Sequence, residues 1–215
     1  ASTALRKEMG KLAEWMANSI CPWASLRALL ANRLVALDKC PGVRPVGIGE
    51  ALRRMLAKCV LLMAKAEAKQ ACGSDQLCAG LEAGIEGAVH AMSEVWESNL
   101  LTADFGFLLI DARNAFNEQN REAMLWHVRH EWPSGARFTF NCYQHWGTLV
   151  IRGADGTGVI LYSMEGVTQG DPFAMFVYGI GMLPLTRLIK ARVPDALTPW
   201  HADDAAAMVK FARIR

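Results

Sequence analysis

The spacing of hydrophobic residues predicts a helical first half. Hydrophobic residues recur every three or four positions over 3–19, 22–37, 51–70 and 76–98, the period of an amphipathic helix. Between the second and third of these segments, residues 39–50 are rich in Gly and Pro, which predicts a loop with an extended stretch, "RPVGI". The first hundred residues are therefore predicted to form four helices.

The second half has a different pattern. The short continuous apolar run "FGFLLI" (105–110) predicts a buried strand, and residues 118–132 predict a helix that Pro133 ends. Further elements are predicted as strands at 137–146, 148–153 and 159–163, a helix at about 172–190, and a strand, turn and strand over 198–211. Helices followed by mixed elements and a hairpin predict an α+β fold with a largely antiparallel sheet.

Composition narrows the class of protein. The chain has 215 residues, of which 52% are hydrophobic and 20% charged, so it can bury a core and is not disordered. Its six cysteines form no CxxC pair, and no N-terminal run is typical of a signal peptide, which favours reduced thiols inside the cell. The longest apolar run, 172–185, is too short for a membrane span and contains two prolines.

Charge is distributed unevenly along the chain. Residues 1–70 carry 12 Lys or Arg against 5 Asp or Glu, whereas residues 71–215 carry 11 against 16. This distribution suits a protein whose basic part binds a polyanion and whose acidic part binds metal ions. Chance asymmetry is the alternative explanation.

Three aspartates form a candidate metal site. Asp111 directly follows the predicted strand 105–110, and Asp203 and Asp204 lie at the tip of the predicted hairpin, in "PWHADDAAA". If the two strands are neighbours, three carboxylates meet and repel one another unless a cation pairs with them. Two Mg²⁺ ions would resolve this, as they do in nucleotidyl transfer. A solvated polar turn is the alternative.

Three stretches in order resemble reverse transcriptases. "FLLIDARNAF" (107–116) resembles the first palm motif, "EGVTQGDPFAM" (165–175) resembles the Gln-Gly-x-Pro motif, and "WHADD" (200–204) resembles the x-Asp-Asp hairpin. Upstream, "RPVGIGEALRR" (44–54) and "QLCAG" (76–80) are similar to fingers segments. The match covers roughly residues 40–211 and is most similar to the non-LTR retrotransposon branch.

The resemblance implies a fold and an activity. It implies a right-hand palm over 105–215, an antiparallel sheet with helices on one face, after a helical extension and fingers over 1–104. Because the chain stops shortly after the hairpin, at Arg215, the thumb of the family is expected to be absent. The implied activity is RNA-directed DNA polymerisation from an RNA template, a DNA primer and dNTPs, with two Mg²⁺ ions or Mn²⁺. The expected location is the cytoplasm or nucleus, without membrane attachment.

The family's roles carry over to matching residues. Asp111 and Asp203 would ligate the metals with the carbonyl of Ala112, and Asp204 would lie beside them near the primer end. Phe116 would exclude a 2′-hydroxyl and so select deoxynucleotides. The remaining implied nucleotide contacts are Arg113, Asn114, Ala115, Gln169 and Gly170, with Arg44, Arg53 and Arg54 as candidate phosphate clamps.

Departures from the family leave alternatives open. His201 stands where the family usually has Tyr, so a palm relic that binds RNA without catalysis is an alternative. An RNA-copying RNA polymerase is disfavoured by Phe116 and by the Gln169–Gly170 pair. A zinc site from HxxH (127–130) and CxxH (142–145) is also disfavoured, because residues three apart on the predicted strand point to opposite faces.

Overall fold

The computed structural model describes residues 2–153 and 155–213. The last two residues of the predicted palm segment lie outside this range. The helices are α1 (Thr3–Asn18), α2 (Trp23–Leu26), α3 (Ala51–Cys72), α4 (Gly84–Ser98), α5 (Ala115–Glu118), α6 (Arg121–Glu131), α7 (Pro133–Tyr143) and α8 (Ala174–Arg192). The strands are β1 (Asn32–Asp38), β2 (Val43–Gly49), β3 (Phe105–Asp111), β4 (Gly147–Arg152), β5 (Gly158–Ser163), β6 (Trp200–His201) and β7 (Asp204–Lys210).

The strands form two sheets. One has the order β2-β1-β4-β5, in which β1 and β4 are parallel and the other neighbours antiparallel. The other has the order β3-β7-β6 and is entirely antiparallel. The predicted α+β class is confirmed. The division into a segment 1–104 and a segment 105–215 stays a prediction, and the four-stranded sheet takes strands from both sides of it.

Two sequence-based element predictions are wrong. Residues 32–37, the end of the helix predicted over 22–37, lie in β1, which pairs along its whole length with β2, from Asn32 opposite Gly49 to Asp38 opposite Val43. Residues 137–143, predicted as strand, belong to α7, which begins at Pro133. Proline suits the first turn of a helix because the lost N–H has no partner there. The same proline therefore both ends α6 and starts α7.

Two further predictions were right in kind but not in detail. The helix predicted over 76–98 begins only at Gly84, after Ala83 in a left-handed conformation with φ of 52°. The strand predicted over 105–110 forms β3, but it is not buried, and Leu109 is 73% exposed. The neighbouring Phe107 and Leu108 are exposed as well, so neither face of this edge strand is fully covered by the described part of the chain.

The core lies among α3, α6, α7 and α8. Trp132 and Phe138 pack against Phe173 at ring-centroid distances of 5.2 and 4.7 Å, and the Trp132 indole N–H donates to the carbonyl of Ala64 at 2.9 Å. By length and composition alone α8 could cross a membrane, a property that core helices share. Here its residues from Ala174 to Thr186 contribute repeatedly to the buried core.

Candidate active site

The three aspartates lie at one end of the three-stranded sheet. In the β3–β7 register Asp111 is directly opposite Asp204, and Ala112 follows it, partly buried against the core. Asp203 lies in the turn between β6 and β7, where His201 pairs with Asp204. Directly opposed residues in an antiparallel sheet have Cβ atoms about 4.5–5.5 Å apart. The structure thus brings Asp111 and Asp204 together, with Asp203 as the adjacent residue of the turn.

Nothing basic neutralises these carboxylates within residues 2–153 and 155–213. None of Asp111, Asp203 and Asp204 takes part in a salt bridge there. Like charges directly opposite one another destabilise a sheet, and a divalent cation with oxygen ligands relieves the repulsion. In the same described residues, no three His, Cys, Asp or Glu side chains are close enough to hold a metal ion. Carboxylate oxygens are suitable ligands for Mg²⁺. To bind the ion, the three carboxylates would have to rotate toward a common point.

Phe116 is connected to the hairpin through Tyr178. The two rings stack with centroids 4.4 Å apart and planes 20° apart. Burial, and next the negative charge of Asp203, raise the pKa of Tyr178 above its ordinary value. The backbone of Phe116 is also held, since its carbonyl accepts the Val167 amide at 2.6 Å. Sequence reasoning did not identify Tyr178, which follows the Gln-Gly-x-Pro stretch in α8.

The hairpin turn is held by a residue that sequence reasoning did not assign a role. Gln76 is 1% exposed; its side-chain N–H donates to the carbonyl of Ala202 at 3.0 Å, and its side-chain oxygen accepts the Ala202 amide at 2.8 Å. The Leu77 amide donates to the carbonyl of Trp200 at 2.8 Å. The only available signal was the place of Gln76 at the head of the "QLCAG" stretch.

The Gln169–Gly170 turn packs tightly on β2. The Gly47 amide donates to the carbonyl of Gln169 at 2.9 Å. Gly170 has φ of +102°, and a Cβ there would lie 2.5 Å from the Gly47 carbonyl oxygen. A Cβ at Gly47 would in turn lie 2.2 Å from the methyl group of Thr168. Only glycine fits at these two positions, so the predicted nucleotide-binding turn is fastened to the predicted fingers by close backbone contact.

The predicted role of Arg53 as a phosphate clamp is not supported by its position. Its side chain is 3% exposed, and it donates to a carboxylate oxygen of Asp171, whose side chain is 1% exposed, at 2.5 Å. The Tyr143 hydroxyl donates to the same oxygen. Burial is the largest single influence and favours the neutral form of Arg53, but Asp171, Cys142 and Tyr143 together outweigh it, so the pKa of Arg53 lies well above its ordinary value. Its guanidinium therefore joins α3 to the turn that follows Gly170.

The other predicted nucleotide contacts occupy different settings. Arg113 is exposed, and Ala115 is buried at the start of α5. Asn114 has φ of 51° and binds within its own helix turn, donating to Glu118 at 3.0 Å and accepting from Asn117 at 2.6 Å. Its side chain thus organises the helix start.

The two remaining predicted phosphate clamps are on the surface. Arg44 on β2 and Arg54 on α3 are both exposed. Neither forms a salt bridge within the described part of the chain. Both stay candidates for phosphate contact.

Arg121 organises the loop that leads to the Gln-Gly-x-Pro stretch. Its guanidinium donates to the carbonyls of Ser163, Glu165 and Gly166 at 2.9, 2.7 and 3.1 Å. Burial lowers the pKa of Arg121 from its ordinary value, but the three carbonyls satisfy the buried cation. This arginine was also missed, because its partners lie more than 40 residues away.

A cleft of about 440 Å³ opens beside the carboxylates. Its lining includes Asp111, His201 and Asp204, together with apolar residues of α4 such as Val89 and Met92. The candidate site is therefore accessible from one side of the sheet.

The disfavoured zinc site is not assembled. The strand on which the geometric objection rested is helix α7, so that reason was wrong. Instead, the Nδ1–H of His130 donates to the Trp126 carbonyl at 2.8 Å, and His145 packs on Trp23 with ring centroids 4.9 Å apart. Burial raises the pKa of Cys142 to about 12, which disfavours the thiolate that zinc requires.

Comparison with known proteins identifies the fold. No protein-family model matches the chain, and neither does any curated protein. Telomerase from Candida albicans, in complex with a TWJ fragment of telomeric RNA, matches with a TM-score of 0.63 at 10% identity, over 96% of this chain and 42% of that chain. Apo telomerase from Candida tropicalis, truncated from its C-terminal domain, matches with a TM-score of 0.61 at 10% identity, over 96% and 49%. Telomerase is a reverse transcriptase.

The chain has a reverse transcriptase-like fold. At such low identity the likeness shows the fold alone, and the chain spans less than half the length of these telomerases. The predicted α+β palm fold is thereby confirmed. The affinity to non-LTR retrotransposons and the roles of the site residues stay predictions.

Proposed function

We propose that this chain is the fingers and palm part of an RNA-directed DNA polymerase from a non-LTR retrotransposon, acting inside the cell. The observation that carries the proposal is the register that sets Asp111 opposite Asp204, with Asp203 in the adjoining turn. Paired carboxylates without a basic partner among the described residues, on a reverse transcriptase-like fold, suit a two-metal site. When bound, Mg²⁺ would activate a primer 3′-hydroxyl and stabilise the leaving pyrophosphate.

The chain's own residues would supply the rest of the site. Asp111, Asp203 and the carbonyl of Ala112 would hold the metal ions. Phe116, stacked on Tyr178, would stand against the sugar and exclude a 2′-hydroxyl. The Gln169–Gly170 turn, fixed to β2, would form a rigid wall beside the incoming nucleotide.

Partners follow from the same reasoning. An RNA template and a DNA primer are the proposed polymer ligands, and dNTPs are the proposed substrates. The telomerase structure with telomeric RNA is compatible with RNA as a partner of this fold.

Primer extension tests the proposal. The chain is incubated with a primed RNA template, dNTPs and Mg²⁺ (then Mn²⁺), beside its Asp203→Ala variant. We expect the unaltered chain to extend the primer and the variant not to. Glu14→Ala is the matched control, since Glu14 is an exposed acid on α1, which packs on α3 and α7 and not on the hairpin. Extension by the Asp203→Ala variant would contradict the proposed site.

A second candidate function is RNA binding without catalysis. The observation that favours it is that no three acidic, His or Cys side chains among the described residues are gathered closely enough for a metal ion. It predicts retention of RNA with no extension in either metal. RNA affinity and primer extension are therefore measured on the same protein, and RNA binding without extension would favour this second function. The same two measurements are made on His201→Tyr, which restores the residue usual in the family.

A further inference from the structure

We propose that Gln76 is a positioning residue that sets the geometry of the catalytic hairpin, and this inference rests on the proposed function. The side chain contacts neither Asp111 nor Asp203 by hydrogen bond. It acts through Ala202, the residue immediately before the two aspartates, by binding both of its backbone polar groups.

The orientation of the Gln76 amide is fixed by its partners. The Ala202 amide can only donate and its carbonyl can only accept, so the side-chain oxygen must face the first and the side-chain N–H the second. Both contacts are short, at 2.8 and 3.0 Å, and both are buried. No other side chain type of this length supplies an acceptor and a donor in this arrangement.

Ala202 needs such support because its backbone is strained. It has φ of 57° and is 4% exposed. The left-handed region is unfavourable for a residue with a Cβ. A buried amide or carbonyl without a partner would add a further penalty. The Gln76 amide satisfies both groups and holds the turn in the conformation from which Asp203 and Asp204 project.

The neighbouring contact makes the inference testable. The Leu77 amide holds the carbonyl of Trp200 independently of the Gln76 side chain. When Gln76 is replaced by Met, of similar length and apolar, this backbone bond keeps the hairpin on the fold. Besides the turn, only the Cys78 amide, which donates to the Gln76 side-chain oxygen at 3.5 Å, loses a partner among the described residues, so a local loosening is expected and not the loss of the sheet.

The first measurement is hydrogen exchange of the hairpin amides. In the unaltered chain the Ala202 amide should exchange slowly for a turn residue. In Gln76→Met it should exchange about tenfold faster, since one buried hydrogen bond is lost. Unchanged exchange of Ala202 would overturn the proposal, whatever the activity of the chain. If the variant does not fold, fast exchange of Ala202 in the unaltered chain would overturn it equally.

The second measurement separates positioning from general stability. In Gln76→Met we expect Mn²⁺ affinity and kcat each to fall about tenfold, with KM for dNTPs unchanged, because only the carboxylates of the chemical step are displaced. Loosened exchange with unaltered Mn²⁺ affinity would reduce Gln76 to a structural role and overturn the proposal.

Asn141→Leu is the matched control. Asn141 is a fully buried amide whose hydrogen bonds reach Met16, Ser19 and Cys21 and not the hairpin. Its replacement should lower Tm while leaving hairpin exchange and Mn²⁺ affinity unchanged. If the unaltered chain binds no Mn²⁺, the proposed function fails, and the exchange of Ala202 still decides whether Gln76 holds the turn.

Discussion

Breaking the buried pair of Arg53 and Asp171 should destabilise the fold strongly. Both side chains are almost fully buried, at 3% and 1% exposure. Arg53→Met leaves the Asp171 carboxylate with the Tyr143 hydroxyl and the Phe173 amide as its donors. A buried charge that loses its counter-ion costs about 3–5 kcal/mol. Two neutral donors recover only a small part of this, so we expect a loss of about 3 kcal/mol.

The double variant should be far less affected. In Arg53→Met with Asp171→Leu both charges are gone, and replacing a buried pair by apolar side chains is often neutral or stabilising by about 1–4 kcal/mol. The Arg53 guanidinium already has two buried nitrogens, Nε and Nη1, without hydrogen-bond partners. Removing it therefore also removes a desolvation penalty. The two single losses should thus be strongly non-additive.

Urea unfolding of the four proteins measures this coupling. With a slope of about 1–3 kcal/mol/M, a loss of about 3 kcal/mol lowers the midpoint by at least about 1 M. Arg54→Met is the matched control: this neighbouring arginine is exposed, so its loss should change stability by less than about 0.5 kcal/mol. The reasoning is refuted if Arg53→Met costs less than about 1 kcal/mol or if the single losses simply add.

Three further predictions concern the site and the thiols. Phe116→Ala should raise the incorporation of ribonucleotides relative to deoxynucleotides about 10–100-fold, whereas the control Phe140→Ala, on the surface of α7, should leave this ratio unchanged. The ratio is measured in both variants by competitive incorporation. An unchanged ratio in Phe116→Ala would contradict the sugar-excluding role. Only the exposed Cys40 and Cys59 should react rapidly with a thiol reagent in the native protein, and all six cysteines should react in denaturant; rapid reaction of four or more native thiols would show that the fold is looser than described. Burial raises the pKa of the Cys78 thiol to about 11. The stability that the protonated thiol contributes to the fold is therefore complete below the unfolded pKa of about 8.5, and about 3 kcal/mol of it is lost as pH rises toward 11. In urea unfolding between pH 8 and 11, the free energy of unfolding should decline less steeply in Cys78→Ala than in the unaltered chain.

From sequence, the meeting of the carboxylates could be predicted on the condition that their two strands are neighbours. A strand that ends in Asp111 and a hairpin that carries Asp203 and Asp204 predict one sheet edge, and the β3–β7 register agrees. The prediction worked because both strands have local signals, an apolar run and a turn. The exposure of Leu109 could not be predicted, since it depends on what covers the sheet and not on the strand itself.

The functions of individual polar residues were harder to predict. Arg53 was expected to contact phosphate, and nothing near it in sequence indicates a partner 118 residues away. Gln76 reaches Ala202 across 126 residues and carries no local pattern. A polar residue on a helix or in a loop is usually solvated, so only the assembled fold distinguishes a buried clamp from a surface side chain.

The sequence by itself determined the class of fold and the order of the motifs that carry the acids, because these depend on short-range periodicity and on turn chemistry. The pairing of β3 with β7, which brings the acids together, was decided by the tertiary structure. Tertiary structure alone decided that 32–38 is a strand and 133–143 a helix, since pairing with β2 and packing in the core outweighed the local pattern. It also decided which polar groups are buried. The free energy of a buried amide or ion pair comes from partners distant along the chain, and folding brings them together.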